Sequence, residues 1–427
     1  MTRAPLNRLG VVGIVDAIER GDTTAAAVAA ACLERIAERN EAVRAFVALD
    51  PARALAEARR ADAGAPAVLR GVPFAVKDVI DTADYPTQYG SPIYQGHQPR
   101  ADAACVAVAR ERGAVLLGKV ATGEFATQTP SDARNPLRLA HTPGGSSSGS
   151  AAAVADGMAP VAFGTQTTAS IVRPAVYCGV VGYKPTFGMV CAAGLKGVSP
   201  TQDTIGVIAR SVEDAAYFTL GLHGARTVAR PLERPRIAVC LSRQWDYASP
   251  ATLAAIERLE ARLQAAGAQV ERIWLPASLE DLIAVQGRIF AFEARQALAH
   301  ERLHHFDRLS PRLQARLESG RGIEVDEYLA MRAQAARGRA ACEALFGQAD
   351  AILYPAAEGE AEAGLASAGS PRYGALWTLL HLPSVSFPIG QGPGGLPVGA
   401  QLIGRYGQDT RVLAVAGHVA ALAARGD

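Results

Sequence analysis

Apolar positions along the chain follow two different periods. Residues 22–40, DTTAAAVAAACLERIAERN, carry them at helical spacing and read as an N-capped amphipathic helix. Residues 72–80, VPFAVKDVI, are apolar and β-branched almost without interruption, the pattern of a buried strand that carries Lys77. Residues 103–117 read as a helix running into the strand VLLG, and AAAVADGMA has helical propensity. APVAFGTQT then reads as a strand entering a turn, and 207–222 as a further helix. RPRIAVCLS (234–242) opens a β-α unit whose helix is 251–266. Residues 279–348 are helical throughout, 349–357 is a strand, and 383–404 holds short strands around PGGLPVG. Strands alternating with helices predict an α/β layered fold.

Composition narrows the function classes. Hydrophobic residues make up 49% and charged residues 20%, which is ordinary for a globular chain of 427 residues. A net charge of +2, from 43 basic and 41 acidic residues, gives no electrostatic reason to expect nucleic acid or a membrane surface. Acidic residues break up the opening MTRAPLNRLGVVGIVDAIERGD as a signal-peptide core, and no stretch approaches 18 uncharged apolar residues. Cys32, Cys105, Cys178, Cys191, Cys240 and Cys342 are scattered, with no metal spacing, and read as buried free thiols in a reducing cytoplasm. No metal and no cofactor is expected. A homodimer is left open.

One count changes the picture. Only four basic residues are lysine: Lys77, Lys119, Lys184 and Lys196, all between positions 77 and 196. A coding bias toward Arg accounts for most of this. Lysine does what arginine cannot, however, because it can lose its proton when desolvated. Inside that window lies HTPGGSSSGSAAAVADG (141–157), where every residue from Pro143 to Ser150 is Pro, Gly or Ser. Composition alone suggests a linker. The helix-forming run and strand that follow favour a packed loop at a helix start, where Ser and Gly satisfy free N–H groups.

Three chemistries fit such a loop. A phosphate cradle lacks its GxxxxGK[ST] or GxGxxG context. A nucleophile elbow matches GxSxG with Ser147 as nucleophile and His381 or His418 and Asp350 as partners, but LAHTPGG is a poor strand to precede it. The third uses a neutral lysine as base, with one serine relaying the proton of another. Taken singly, a Lys beside Asp78 also reads as an ion pair, and a Ser in a turn as a cap.

GVPFAVKDVIDT (71–82), PGGSSSGSAAAVA (143–155), GTQTTASIVRPA (164–175), CGVVGYKPTFG (178–188) and DTIGVIARSVEDAA (203–216) together resemble the amidase signature family. LASAGSPRYGALWTLLHLPSVSFPIG and GGLPVGAQLIGRYGQD resemble its bacterial malonamidase branch. The resemblance implies a three-layer α/β/α sandwich around a large mixed β-sheet, as a single domain over 1–427 with its signature core at about 70–220. It implies Lys77 as general base, Ser146 after a cis peptide bond as proton shuttle, and Ser170 as the acylated nucleophile. Ser147, Ser148 and Ser150 are then packing neighbours, and Lys119, Lys184 and Lys196 structural. The substrate implied is a small amide bearing a carboxylate. A broader amide, carbamate or ester hydrolase, or an ammonia-delivering subunit of a larger complex, are the alternatives.

The chain departs from the family pattern where the substrate sits. Two glycines are expected before the nucleophile, and here they are Thr168 and Ala169. The N–H groups of Thr167, Thr168, Ala169 and Ser170 remain available as an oxyanion hole, with two side chains added beside it. Gln166 and Val172 replace an Asp and an Arg. The resemblance assigns Arg173 to the substrate carboxylate, which its planar fork suits. Pairing of Arg173 with a protein acid such as Glu293 is the alternative.

Overall fold

The computed structural model describes residues 5–226 and 230–425, so the first four residues of the opening segment lie outside it. Its eleven strands are β1 (Phe46–Leu49), β2 (Pro73–Lys77), β3 (Val115–Val120), β4 (Val161–Gln166), β5 (Val181–Lys184), β6 (Thr204–Ala209), β7 (Arg236–Leu241), β8 (Gln269–Trp274), β9 (Ala351–Pro355), β10 (Ser384–Gln391) and β11 (Pro397–Ile403). They form one sheet in the order β1-β3-β2-β4-β6-β5-β10-β11-β9-β7-β8. β2 runs parallel to β3 and β4, and β7 parallel to β8 and β9. The remaining pairings are antiparallel, so the sheet is mixed.

Helices cover both faces, and β2 shows why its sequence reads as continuously apolar. Side chains alternate across a strand. Phe74 and Val76 enter a core with Phe163, Val207 and Phe218, under the helix Val212–Leu222. Ala75 enters the opposite core with Ala162 and Ile208, under the helices Ala25–Val43 and Ser148–Asp156. With neighbours on both edges and helices on both faces, β2 has no wet side and no use for polar residues. Lys77 is its exception.

Several local expectations differ from what forms. Residues 207–209 belong to β6, and the helix begins only at Val212, because TIGVIARSVED passes from strand to helix with no Gly or Pro between them. Helix 22–40 starts at Ala25, where the Thr24 hydroxyl accepts the Ala27 N–H, and runs on to Val43. The helical region 279–348 is broken into Leu282–Ala297, Ala299–His304, Pro311–Ser319 and Val325–Phe346, with Ser310 capping the third. Five cysteines are buried free thiols, but Cys191 is exposed. Among the described residues no helix is long and apolar enough to cross a membrane, and no group of three or more His, Cys, Asp or Glu is arranged so that it could hold a metal ion.

Candidate active site

Lys77 ends β2 two positions after Ala75, so alternation turns it toward the helix Ser148–Asp156. It is 0% exposed. Its Nζ lies 2.8 Å from Ser146 Oγ, 2.7 Å from Thr165 Oγ1 and 3.4 Å from the Thr165 carbonyl. All three contacts are neutral oxygens. Burial holds the Lys77 pKa well below the usual lysine range; Asp203 pulls it back up, and Arg173 adds to the lowering. The adjacent Asp78 does not pair with it. Asp78 faces Lys119 at 3.3 Å instead.

The Ser-rich tract is packed, not a spacer. Every residue from Thr142 to Val154 is buried, and the helix begins at Ser148. The Gly145–Ser146 peptide bond is cis. Ser147 Oγ donates to the Thr165 carbonyl, Ser150 Oγ to the Phe163 carbonyl, and Ser148 Oγ meets Ser131 Oγ at 2.5 Å. Gly149 is required by contact: a Cβ there falls 2.3 Å from Ala121 N and 2.6 Å from Ala45 O. The helix start is thereby pressed against the end of β3, and Ser146 is delivered to Lys77.

The turn after β4 lies next to this loop, and the Ser147 N–H donates to the Ser170 carbonyl at 3.3 Å. Ser170 is 8% exposed, and its hydroxyl makes no protein hydrogen bond among the described residues. Ser146 and Ser170 are brought to one place without a direct bond between their side chains. The N–H groups of Thr168, Ala169 and Ser170 donate to no protein acceptor among the described residues. Gln166 explains how the turn survives without its usual acid. Its Oε1 accepts the N–H groups of Ile171 and Val172 at 2.9 and 3.1 Å, at the start of the helix Val172–Tyr177. Its amide donates to Thr378 Oγ1, which itself donates to the Thr168 carbonyl. A neutral amide thus does here what a carboxylate can do, with no counter-cation needed at Val172.

The two extra side chains are housed in different ways. Ala169 is buried against Gly374, where a Cβ falls 2.8 Å from the Ala169 Cβ and 2.3 Å from the Thr168 carbonyl. Thr168 is half-buried, and its hydroxyl accepts from Gln286 Nε2 at 3.2 Å. Thr167 donates to Asp203, which also accepts the Val198 and Ser199 N–H groups. Burial raises the Asp203 pKa to about 6 against these hydrogen bonds. Thr165, Gln166, Asp203, Gln286 and Thr378 hold the turn; Gln166 stands out in the sequence only as a departure from the family pattern, and the other four carry no local signal.

Arg173 is 3% exposed and contacts no carboxylate among the described residues, although Glu362 and Glu358 act on it from further away. Its Nη2 donates to the Gly145 carbonyl at 2.5 Å, while Nε and Nη1 have no partner. Burial lowers its pKa to about 10. Glu293, the alternative partner, is occupied by Ser199, Thr201 and Tyr328. Ser170, Thr167, Thr168 and Arg173 line one cavity of about 60 Å3.

The elbow arrangement does not assemble. Ser147 is fully buried, His381 bonds the Thr201 carbonyl, and Asp350 is taken by Arg411. Burial drives His381 down to about 3, too weak for a base near neutral pH. Of the other lysines, Lys196 pairs with Glu301 at 2.6 Å and Lys184 donates to the Pro185 carbonyl.

Residues 27–413 match the amidase family. The chain belongs to the amidase family. It is 33% identical, over 94% of both chains, to the glutamyl-tRNA(Gln) amidotransferase A subunit of Oleidesulfovibrio alaskensis. With the protein of that name from Roseiflexus castenholzii it shares 42% identity over 52% of this chain, and the match spans about half, 47%, of that relative. Among solved structures, the native peptide amidase of Stenotrophomonas maltophilia superposes with a TM-score of 0.83 at 28% identity, over 97% of each chain. The family expected from the motifs therefore holds, and so does the fold. The malonamidase branch does not follow from these relatives, whose name is that of an amidotransferase subunit.

Proposed function

We propose that this chain, acting as one amidase domain, hydrolyses a small carboxylate-bearing amide through an acyl-enzyme on Ser170. The observation that carries the reading is the fully buried Lys77 amine 2.8 Å from Ser146 Oγ, with only neutral oxygens around it. A neutral amine has two N–H groups for the Thr165 oxygens and a lone pair for the Ser146 hydroxyl. Ser170 Oγ attacks the amide carbon as its proton passes to Ser146 and the Ser146 proton to Lys77. The N–H groups of the 167–170 turn receive the developing oxyanion. The proton returns through Ser146 to the nitrogen, the C–N bond breaks and ammonia leaves. Water then repeats the sequence on the ester, releasing the acid and restoring Ser170.

Arg173 supports the carboxylate on the substrate, because it lines the same cavity as Ser170, no acid lines that cavity, and two of its nitrogens have no hydrogen-bond partner among the described residues. A charge-assisted hydrogen bond is worth roughly 1.5–3 kcal/mol, or about ten- to a hundredfold in kcat/KM. Arg173→Ala is expected to lose that factor on malonamate and little on a neutral amide of equal size, read by ammonia release from homogeneous protein. Equal losses on both contradict the carboxylate role and leave Arg173 as a support for the Gly145 carbonyl. The names of the relatives favour a second reading, a subunit that delivers ammonia within a complex. Ammonia release by the chain alone separates the two.

A further inference from the structure

The cavity at Ser170 contains a second guanidinium. Arg316 lines it together with Arg173, Gln286 and Phe290. No Asp or Glu does, among the described residues. Arg316 comes from the helix Pro311–Ser319, whose Leu313 and Leu317 are buried and fix the helix against Leu282–Ala297. Its guanidinium sits 5.0 Å over the Phe290 ring. Its side chain makes no ion pair and no hydrogen bond among the described residues, although Arg295, on the neighbouring helix, bonds Glu318 at 3.1 Å. Burial lowers its pKa, with no acid near enough to oppose the shift. An aromatic face steadies an arginine without neutralising it, so the positive charge stays available to a ligand.

We infer that Arg316 is a specificity-determining residue that reads a second acidic group on the substrate. The inference rests on Ser170 as the acylated residue. Two guanidiniums without an ion-pair contact among the described residues, in one small cavity with no acid in its lining, call for a dianionic amide; Glu358 and Glu362 act on Arg173 only from outside that lining. Arg173 is the deeper, at 3% exposure, and takes the carboxylate nearest the scissile bond. Arg316 is half-buried and takes the other at the mouth. A cavity of about 60 Å3 holds the amide and one carboxylate, and the second acidic branch extends toward Arg316. A dianion gains one charge-assisted hydrogen-bonding partner more than a monoanion of the same shape.

The test is equilibrium binding to the full chain carrying Ser170→Ala, which removes turnover if the acyl-enzyme reading holds. 2-Carbamoylsuccinate supplies two carboxylates, and 2-isobutylmalonamate is its size-matched monoanion. The dianion is expected to bind at least tenfold more tightly at low salt, with the gap narrowing as salt is added. Adding Arg316→Gln is expected to abolish the gap while leaving the monoanion within about threefold, and Arg316→Lys to keep most of it. No preference for the dianion, no binding of either amide, or an equal loss of both with Arg316→Gln overturns the inference. Hydrolysis of either amide by the Ser170→Ala chain instead overturns the nucleophile assignment, which is a separate failure.

Discussion

Lys77 and Lys119 stand on adjacent strands, and both are fully buried. Lys119 Nζ faces the Asp78 carboxylate at 3.3 Å and donates to the Ile80 carbonyl and Thr87 Oγ1. Burial pushes both members of this pair toward neutrality, Asp78 up to about 6 and Lys119 down, and each charge draws the other back. Among the described residues Lys77 has no carboxylate in contact, and its lowering is the larger. Equal burial therefore yields two kinds of lysine. One is held charged by a partner and belongs to the fold. The other is left free to be neutral and can accept a proton.

Breaking the Lys77 side of this contrast has the largest expected effect. Lys77→Met removes the proposed base and is expected to lower kcat/KM by about 10^2–10^4-fold. Lys77→Arg, which cannot give up its proton, is expected to be no better. In the wild type kcat/KM should rise with pH through a pKa well below the ordinary lysine value. Retention of most activity in both variants contradicts the role of base.

Breaking the Lys119 side should act on stability. Lys119→Met leaves Asp78 buried and unpaired, at a cost of about 3–5 kcal/mol in urea unfolding at neutral pH. Lys77→Met is expected to cost less than about 2 kcal/mol, since it strips hydrogen bonds from neutral oxygens and also relieves a buried amine. The pH dependence sharpens this. Lys77 has a folded pKa below its unfolded one, so in the interval between them the unfolded chain binds the extra proton. Its burial cost is complete below the folded value and fades as pH rises toward the unfolded one. The stability of the wild type relative to Lys77→Met should therefore climb with pH. Equal losses for the two lysine variants erase the distinction.

Much of the site is legible in the amino-acid sequence. The scarcity of lysine, the apolar run around Lys77 and the Ser tract ahead of a helix-forming segment each point to one place, and the five motifs tie them to one family. The supports of the turn that carries Ser170 are not legible there. Gln166 reads only as a missing acid, although its amide caps the next helix and is anchored by Thr378, more than two hundred residues on. Asp203, Gln286 and Arg316 reach the turn or its cavity from distant elements, and no local spacing announces such contacts. β8, QVERIW, gives little apolar signal because it is an edge strand with most side chains exposed. β6 is masked by the helix that follows it almost at once.

The central claim is that Lys77, through Ser146, activates Ser170. A fluorophosphonate probe followed by peptide mass spectrometry, on the wild type and on Lys77→Arg side by side, tests it most directly. The account predicts an adduct on the peptide containing Ser170 in the wild type and its near-complete loss in the variant, with the fold retained. An adduct on Ser146 or Ser147, or equal labelling of Ser170 in both proteins, would contradict it.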